Sequence, residues 1–163
     1  MTFIGFLVEK KDENNFEKAL KGMLEEKCIK AVVVAINEKN IDNVKNIKFQ
    51  TIIMDRNIDD KLTAKLKELL KATQYLIVNA DVVNMEKIQN MNLTVITYGF
   101  GSKCTVTASS IDEEEMIVCL QRGIISLAGN KVESQEIKGA SNDKISNKYL
   151  KMALTTMNLL YKL

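Results

Sequence analysis

Asn79-Ala80-Asp81, directly after an apolar run, is the first place where this 163-residue chain could do chemistry. A carboxamide and a carboxylate at a strand's carboxyl end can line a ligand cleft, because open α/β sheets bind ligands there. The commoner role of the same pair is to cap the next helix and close a turn. Gly99-Phe100-Gly101-Ser102-Lys103 invites a phosphate-loop reading, but no helical pattern follows it, which favours a tight turn. Asp55, Asp59 and Asp60 could hold a divalent cation through oxygen. Arg56 and Lys61 stand among them, so a solvated loop with internal ion pairs is the simpler expectation. The sequence has no histidine. Cys104 and Cys119 therefore have no Cys–His route to a nucleophile, and buried packing, on neighbouring strands, is expected of both. Any acid–base work would fall to carboxylates, lysine or cysteine, and no pair of them singles itself out. Asp112 to Glu115, DEEE, is expected to be a solvated turn, with a surface for a basic partner as the alternative.

The composition behind these residues is that of an ordinary globular chain, with 46% hydrophobic and 27% charged residues. At this length one domain, residues 1–163, is expected, with a core of real size. Few aromatics and eight methionines predict an aliphatic, adaptable interior. A formal net charge of +2, with lysines interleaved among acids, argues against nucleic acid. No apolar run reaches the roughly 20 residues needed to span a bilayer, so no membrane association is expected. The opening MTFIGFLVEKK lacks a basic segment ahead of its apolar run, so no signal peptide is expected. Three widely spaced cysteines fit reduced thiols and a cytoplasmic location better than a disulfide frame.

The elements that must position these groups alternate regularly. Residues 3–8 (FIGFLV), 31–36 (AVVVAI), 50–54, 75–78 and 93–97 predict five strands. Helices are predicted over 14–27, where Phe16, Ala19, Leu20, Met23 and Leu24 recur at helical spacing, and over 63–72. Continuous apolar strands between helices predict a mostly parallel sheet covered on both faces, a three-layer α/β fold with crossover helices. After Gly99 the pattern changes. Cys104, Val106 and Ala108 alternate with polar residues, predicting a half-exposed strand. Residues 116–125 and 131–137 predict a hairpin turning near Gly129-Asn130 or through a looser loop at 128–130. These antiparallel strands lead into a C-terminal helix over 146–161, with Ser146 as its N-cap and Asn147 also expected to cap it.

Five segments resemble one enzyme family. Asn79-Ala80-Asp81, then Val95-Ile96-Thr97-Tyr98-Gly99, then Val106-Thr107-Ala108 are similar to the N-A-D-D, V-I-T-Y-G and A-D-V-x-A of the Mur ligase central, ATP-binding domain. FQTIIMDRNIDDKLT, residues 49–63, resembles the family's F-D-x-x-x-x-T-N-x-x-x-D-H-L-D. Asn147-Lys148-Tyr149-Leu150 with Ala153 resembles its adenine-side helix start, H-N-x-x-N-x-x-x-A. The resemblance implies a P-loop-like sheet, and in the intact family ATP, magnesium and peptidoglycan-stem synthesis. The reaction machinery is what this chain lacks. No G-x-x-x-x-G-K-[ST] loop occurs, and the first strand runs into VEKKDENN. The family's magnesium-binding glutamate would fall within 33–35, where no carboxylate stands. The D-H-L-D histidine corresponds to Lys61, which repels a cation, and the second adenine-helix asparagine to Leu150. Phosphoryl transfer works mainly by positioning and charge neutralisation, so these losses would remove most of the rate enhancement.

The expectation is therefore a degenerate, non-catalytic Mur ligase-like protein with a structural or partner-binding role. It has no catalytic residue, no metal ligand, and no ATP or magnesium as a cofactor. The alternative is a degenerate nucleotide- or small-ligand-binding module without turnover, in which Asn79, Asp81, Gly99 and Asn147 converge. An enzyme of unrelated chemistry ranks last. A domain that once packed against others would leave apolar surface to cover, so a homo-oligomer or an unidentified protein partner is expected.

Overall fold

A computed structural model describes residues 1–89, 91–111, 115–140 and 144–162, with the side chains of Ser110 and Ile111 undescribed. Of the acidic run at 112–115, only Glu115 falls within it. The backbone runs β1 (Thr2–Leu7), α1 (Glu13–Glu26), β2 (Ala31–Ala35), α2 (Ile41–Val44), β3 (Thr51–Met54) and α3 (Asp60–Leu70). β4 (Tyr75–Asn79), β5 (Thr94–Tyr98), β6 (Val106–Ile111), β7 (Met116–Leu120), β8 (Ile124–Ile125), β9 (Lys131–Val132), β10 (Gln135–Lys138) and α4 (Lys148–Leu160) follow. An eight-stranded sheet has the order β10-β7-β6-β5-β4-β3-β1-β2. Its pairings are parallel from β2 through β6 and antiparallel at β6–β7 and β7–β10. The first five strands thus follow the order 2-1-3-4-5, one of the common doubly wound arrangements.

Both faces of this sheet are covered, which is why its central strands read as unbroken apolar runs. Phe6, Ile53 and Ile77 face one layer with Phe16, Leu20 and Leu24 of α1 and Leu150, Ala153 and Met157 of α4. Leu7, Met54 and Val78 face the other with Ile41 of α2 and Leu62, Leu66 and Leu69 of α3. Alternate residues of each strand serve opposite layers, as the pleat requires. Gly5 lies in β1 because a Cβ there would stand 2.5 Å from Ile36 Cδ1 and 3.2 Å from the Phe49 ring.

Several expectations are corrected. The single hairpin over 116–137 is two pieces. β7 pairs with β10 in the main sheet, whereas β8 and β9 form a separate two-stranded sheet. The strand breaks at Gln121-Arg122-Gly123, where Gln121 turns its amide to the Cys104 carbonyl at 2.8 Å. The turn at 126–130 closes with Gly129 at φ +84°, a conformation that favours glycine. α4 begins at Lys148, two residues inside the expected span, and is capped by Asn147, as the alternative expectation had it, and not by Ser146. The Asn147 Oδ1 accepts from the Tyr149 and Leu150 N–H groups at 2.9 and 3.4 Å.

Candidate functional site

Five strands deliver their carboxyl ends to one side of the sheet, and polar residues gather there. Asp55 follows β3, Asn79 closes β4 and Tyr98 closes β5. Buried strand residues lead up to each position, so the polar groups at the strand ends are aimed across the rim. Asp55 is only 8% exposed. Its carboxylate accepts a short hydrogen bond from the Tyr98 hydroxyl and a longer one, 3.5 Å, from the Asn79 amide. The Asn79 Oδ1 in turn accepts the Asp81 N–H at 3.0 Å. Burial pushes the Asp55 carboxyl up to about 6, against the lowering effect of those donors, and the negative charges of Asp12 and Glu9 add to the rise. Burial, with Asp55 beside it, also lifts the Tyr98 phenol well above its ordinary range.

Asp81, one step farther out, is exposed and ties three elements together. Its Oδ2 accepts the Phe100 N–H at 2.7 Å and the Tyr149 hydroxyl at 3.0 Å. The Phe100 and Tyr149 rings meet edge to face at 5.1 Å. Gly99 makes this approach possible, since a Cβ there would lie 2.8 Å from the Asp81 Cγ. Asn79, Asp81 and Gly99 therefore do converge. Asn147 stands at the neighbouring helix start, but its carbonyl oxygen is committed to the cap. The expectation that Asn79 and Asp81 cap the next helix is corrected. Asn79 closes a local turn onto Asp81, and the following short 3-10 helix is capped by Asn84 through the Glu86 N–H.

The aspartate cluster divides. Asp59 caps α3 through the Leu62 N–H at 2.8 Å, and Asp60 pairs with Lys87 at 3.0 Å. Arg56 pairs with Glu38 at 2.8 Å, so the ion pairs reach outside the loop instead of closing within it. Asp55 is buried, contrary to a solvated loop. Cys104 is buried as expected, in the turn before β6, and its thiol is raised by burial with Asp81 adding. Cys119 is half-buried on β7, opposite Thr107, so the two thiols do not share a strand pair. The turn at 100–105 leads into β6 and not into a helix, and Cys104 N–H to Gly101 O closes it at 3.2 Å. Among the described residues, no group of three or more Cys, Asp or Glu is arranged to hold a metal ion.

At the other end of the rim the β1–α1 connection is a single 3-10 turn, Lys10–Asp12. Asp12 makes no side-chain cap, and α1 opens on Glu13. Beside it, over the ends of β1, β2 and β3, lies a half-open crevice of about 190 Å³ lined by Val8, Glu9, Lys10, Asn37, Lys39 and Arg56. This is the point where the strand order reverses, the usual ligand position in such sheets. A larger cavity of about 270 Å³, lined by Ala19, Met23 and Leu154 of α1 and α4, is built from other elements.

Sequence reasoning named Asp55 only as a cation ligand in a solvated loop, and Tyr98 and Tyr149 only inside motifs; it missed that Asp55 pairs with Tyr98 and that Tyr149 reaches Asp81. Asp55 and Tyr98 carried a usable signal, because each ends or follows an apolar parallel strand just as Asn79 does. No family model matches the chain, and no curated protein matches it. Among solved structures, a flavodoxin from the domain Archaea is 13% identical over 59% of this chain and 78% of that one, with a TM-score of 0.36.

Proposed function

We propose that the chain is a non-catalytic relative of the Mur ligase central domain, acting as a structural or partner-binding protein. One observation carries this reading: the residues of the resemblance spend their polar groups on one another. Asn79 serves Asp55 and Asp81, Asp81 serves Phe100 and Tyr149, and Gly99 makes room for Asp81. The β1–α1 turn argues the same way. A phosphate needs free N–H groups and positive potential at a helix start, whereas α1 opens with Asp12 and Glu13, with Glu9 alongside. The residues present do not fit a magnesium-chelated triphosphate. A homo-oligomer and a cytoplasmic location belong to the same proposal, the latter supported by three cysteines that are free of disulfides.

Thermal unfolding with Mg-ATP, ADP, UDP-sugars and folates tests it. A ligand at a hundred times its Kd stabilises by about 2.7 kcal/mol, which for a chain of this size raises Tm by about 5–11 °C. Flat melting temperatures across the panel are expected. ATP-dependent amide-bond formation by the purified chain would refute the reading.

A second reading, a small-ligand module without turnover, is favoured by the crevice at the strand-order reversal. Its volume lies below the roughly 300–1,000 Å³ typical of drug-sized pockets, so it suits a small metabolite better than a nucleotide. A Tm rise with any member of the panel, without turnover, would select it.

A further inference from the structure

The eight-stranded sheet ends differently at its two edges. β10, QEIK, has Glu136 and Lys138 within it, whereas β2, AVVVA, has no charge, glycine or proline. Natural edge strands are guarded by charges, proline, bulges or a covering element, because an open ladder is a template for another strand. Among the described residues β2 pairs only with β1.

One hydrogen bond fixes which backbone groups stay open. The Ile36 N–H donates to the Phe6 carbonyl of β1 at 2.8 Å. In a parallel ladder, one residue's N–H and C=O point to the same neighbour, and successive residues alternate sides. Val34 and Val32 therefore also serve β1, and Ala31, Val33 and Ala35 turn outward. The Asn40 amide, donating to the Ala35 carbonyl at 2.6 Å, agrees with this parity and covers that group. The N–H groups of Ala31, Val33 and Ala35 and the carbonyls of Ala31 and Val33 are left without a partner among the described residues. Val32 is left 37% exposed on one face of the strand.

We infer that β2 pairs antiparallel with β2 of a second copy of this chain, about a two-fold axis through Val33. At that register Val33 faces itself and Ala31 faces Ala35 of the partner subunit, so the two Val33 residues exchange both bonds and the Ala35 N–H meets the Ala31 carbonyl, while the Ala31 N–H shares the Ala35 carbonyl with the Asn40 amide. Val32 then lies across from Val34 of the partner subunit, a β-branched cross-strand pair that covers the exposed valine. Lys30 and Glu38 flank the strand at its two ends. Lys30 is exposed and has no ion pair among the described residues, and the Glu38 side chain, paired with Arg56 within the chain, is still 56% exposed. The antiparallel arrangement brings the lysine of each copy toward the glutamate of the other. Such a contact is isologous and closes at two copies, which an open apolar edge otherwise would not.

This specifies the partner that the partner-binding reading leaves open, and it rests on that reading. Sedimentation of the full chain from micromolar to millimolar concentration, alongside Ala31→Pro and Val32→Lys, tests it. Proline at position 31 removes an outward N–H without touching the β1 ladder, and the first residue of an edge strand tolerates it. Lysine at position 32 stays solvated in the monomer and is forced against a valine in the dimer. The wild type is expected to dimerise, and each variant to weaken the dimer about tenfold or more while keeping the far-UV spectrum. In the wild type, exchange at the Ala31, Val33 and Ala35 amides slows as concentration rises. A monomer throughout overturns the inference. A dimer indifferent to both substitutions overturns this edge while leaving partner binding by another surface intact. Should Ala31→Pro misfold, Val32→Lys alone decides.

Discussion

Replacing Asp55 by asparagine separates a buried carboxyl group from a merely polar one. The folded chain raises this group from the usual 3.8 to about 6, mainly by burial. Between those values the native state holds a proton that the unfolded state releases. The contribution to stability is therefore fully present below pH 3.8 and is lost as pH rises through about 6. A difference of about two units, at about 1.4 kcal/mol per unit, makes roughly 3 kcal/mol. Asparagine keeps the shape and carries no charge at any of these pH values, so it escapes that loss. Glu38 and Asp42, whose carboxyls are held below the usual range by backbone and Arg56 contacts and by Lys65, titrate in both proteins and cancel in the comparison. Urea denaturation of both proteins at pH 4 and pH 7.5 is the assay. At pH 4 the unfolded group is already more than half ionised, so Asp55→Asn should gain about 2.5 kcal/mol on the wild type between the two values, or about 5–10 °C in Tm. A difference between the proteins that stays constant within about 0.5 kcal/mol would refute the burial argument and return Asp55 to solvent.

Two further substitutions probe the frame that positions the rim. Gly5→Ala sets a methyl group against Ile36 and Phe49 inside a packed layer and should cost about 1–3 kcal/mol by chemical denaturation; an unchanged midpoint would mean the Ile36 tip yields freely. Asn147→Ala should cost about 1 kcal/mol and Ser146→Ala almost nothing. The reverse ranking would restore Ser146 as the cap of α4.

What the sequence made legible was whatever has a local period. Strands β1 to β5 and helices α1, α3 and α4 all show apolar residues in runs or at fixed spacing, so their order and the two-sided burial could be read directly. α2 could not, because Ile41–Val44 is a single turn, too short to show a helical period. Asp55 escaped for a different reason. Its charged neighbours in sequence, Arg56 and Lys61, suggest a solvated loop, but the partners that decide its burial come from strands 24 and 43 residues away. Tyr149 reaches Asp81 across 68 residues. Composition near a residue carries no record of what lands on it from so far along the chain.

That separation also bears on what the motif of Asn79, Asp81 and Gly99 means. Asn79, Asp81 and Gly99 resemble a motif of nucleotide sites in sequence, and a ligand would be one reason for such residues to stand together. The hydrogen bonds supply another. Asn79 is wholly buried, and a buried amide or carboxylate whose partner is removed costs about 1–3 kcal/mol or more. Changing any member of the Asp55–Asn79–Tyr98 group would therefore weaken the junction of β3, β4 and β5, whether or not a ligand ever arrives. Changing Gly99 would push Asp81 off Phe100 and Tyr149, and with it the start of α4. The same letters can thus be held in place by folding alone, and a motif match at a strand's carboxyl end shows how the rim is closed before it shows what the rim binds.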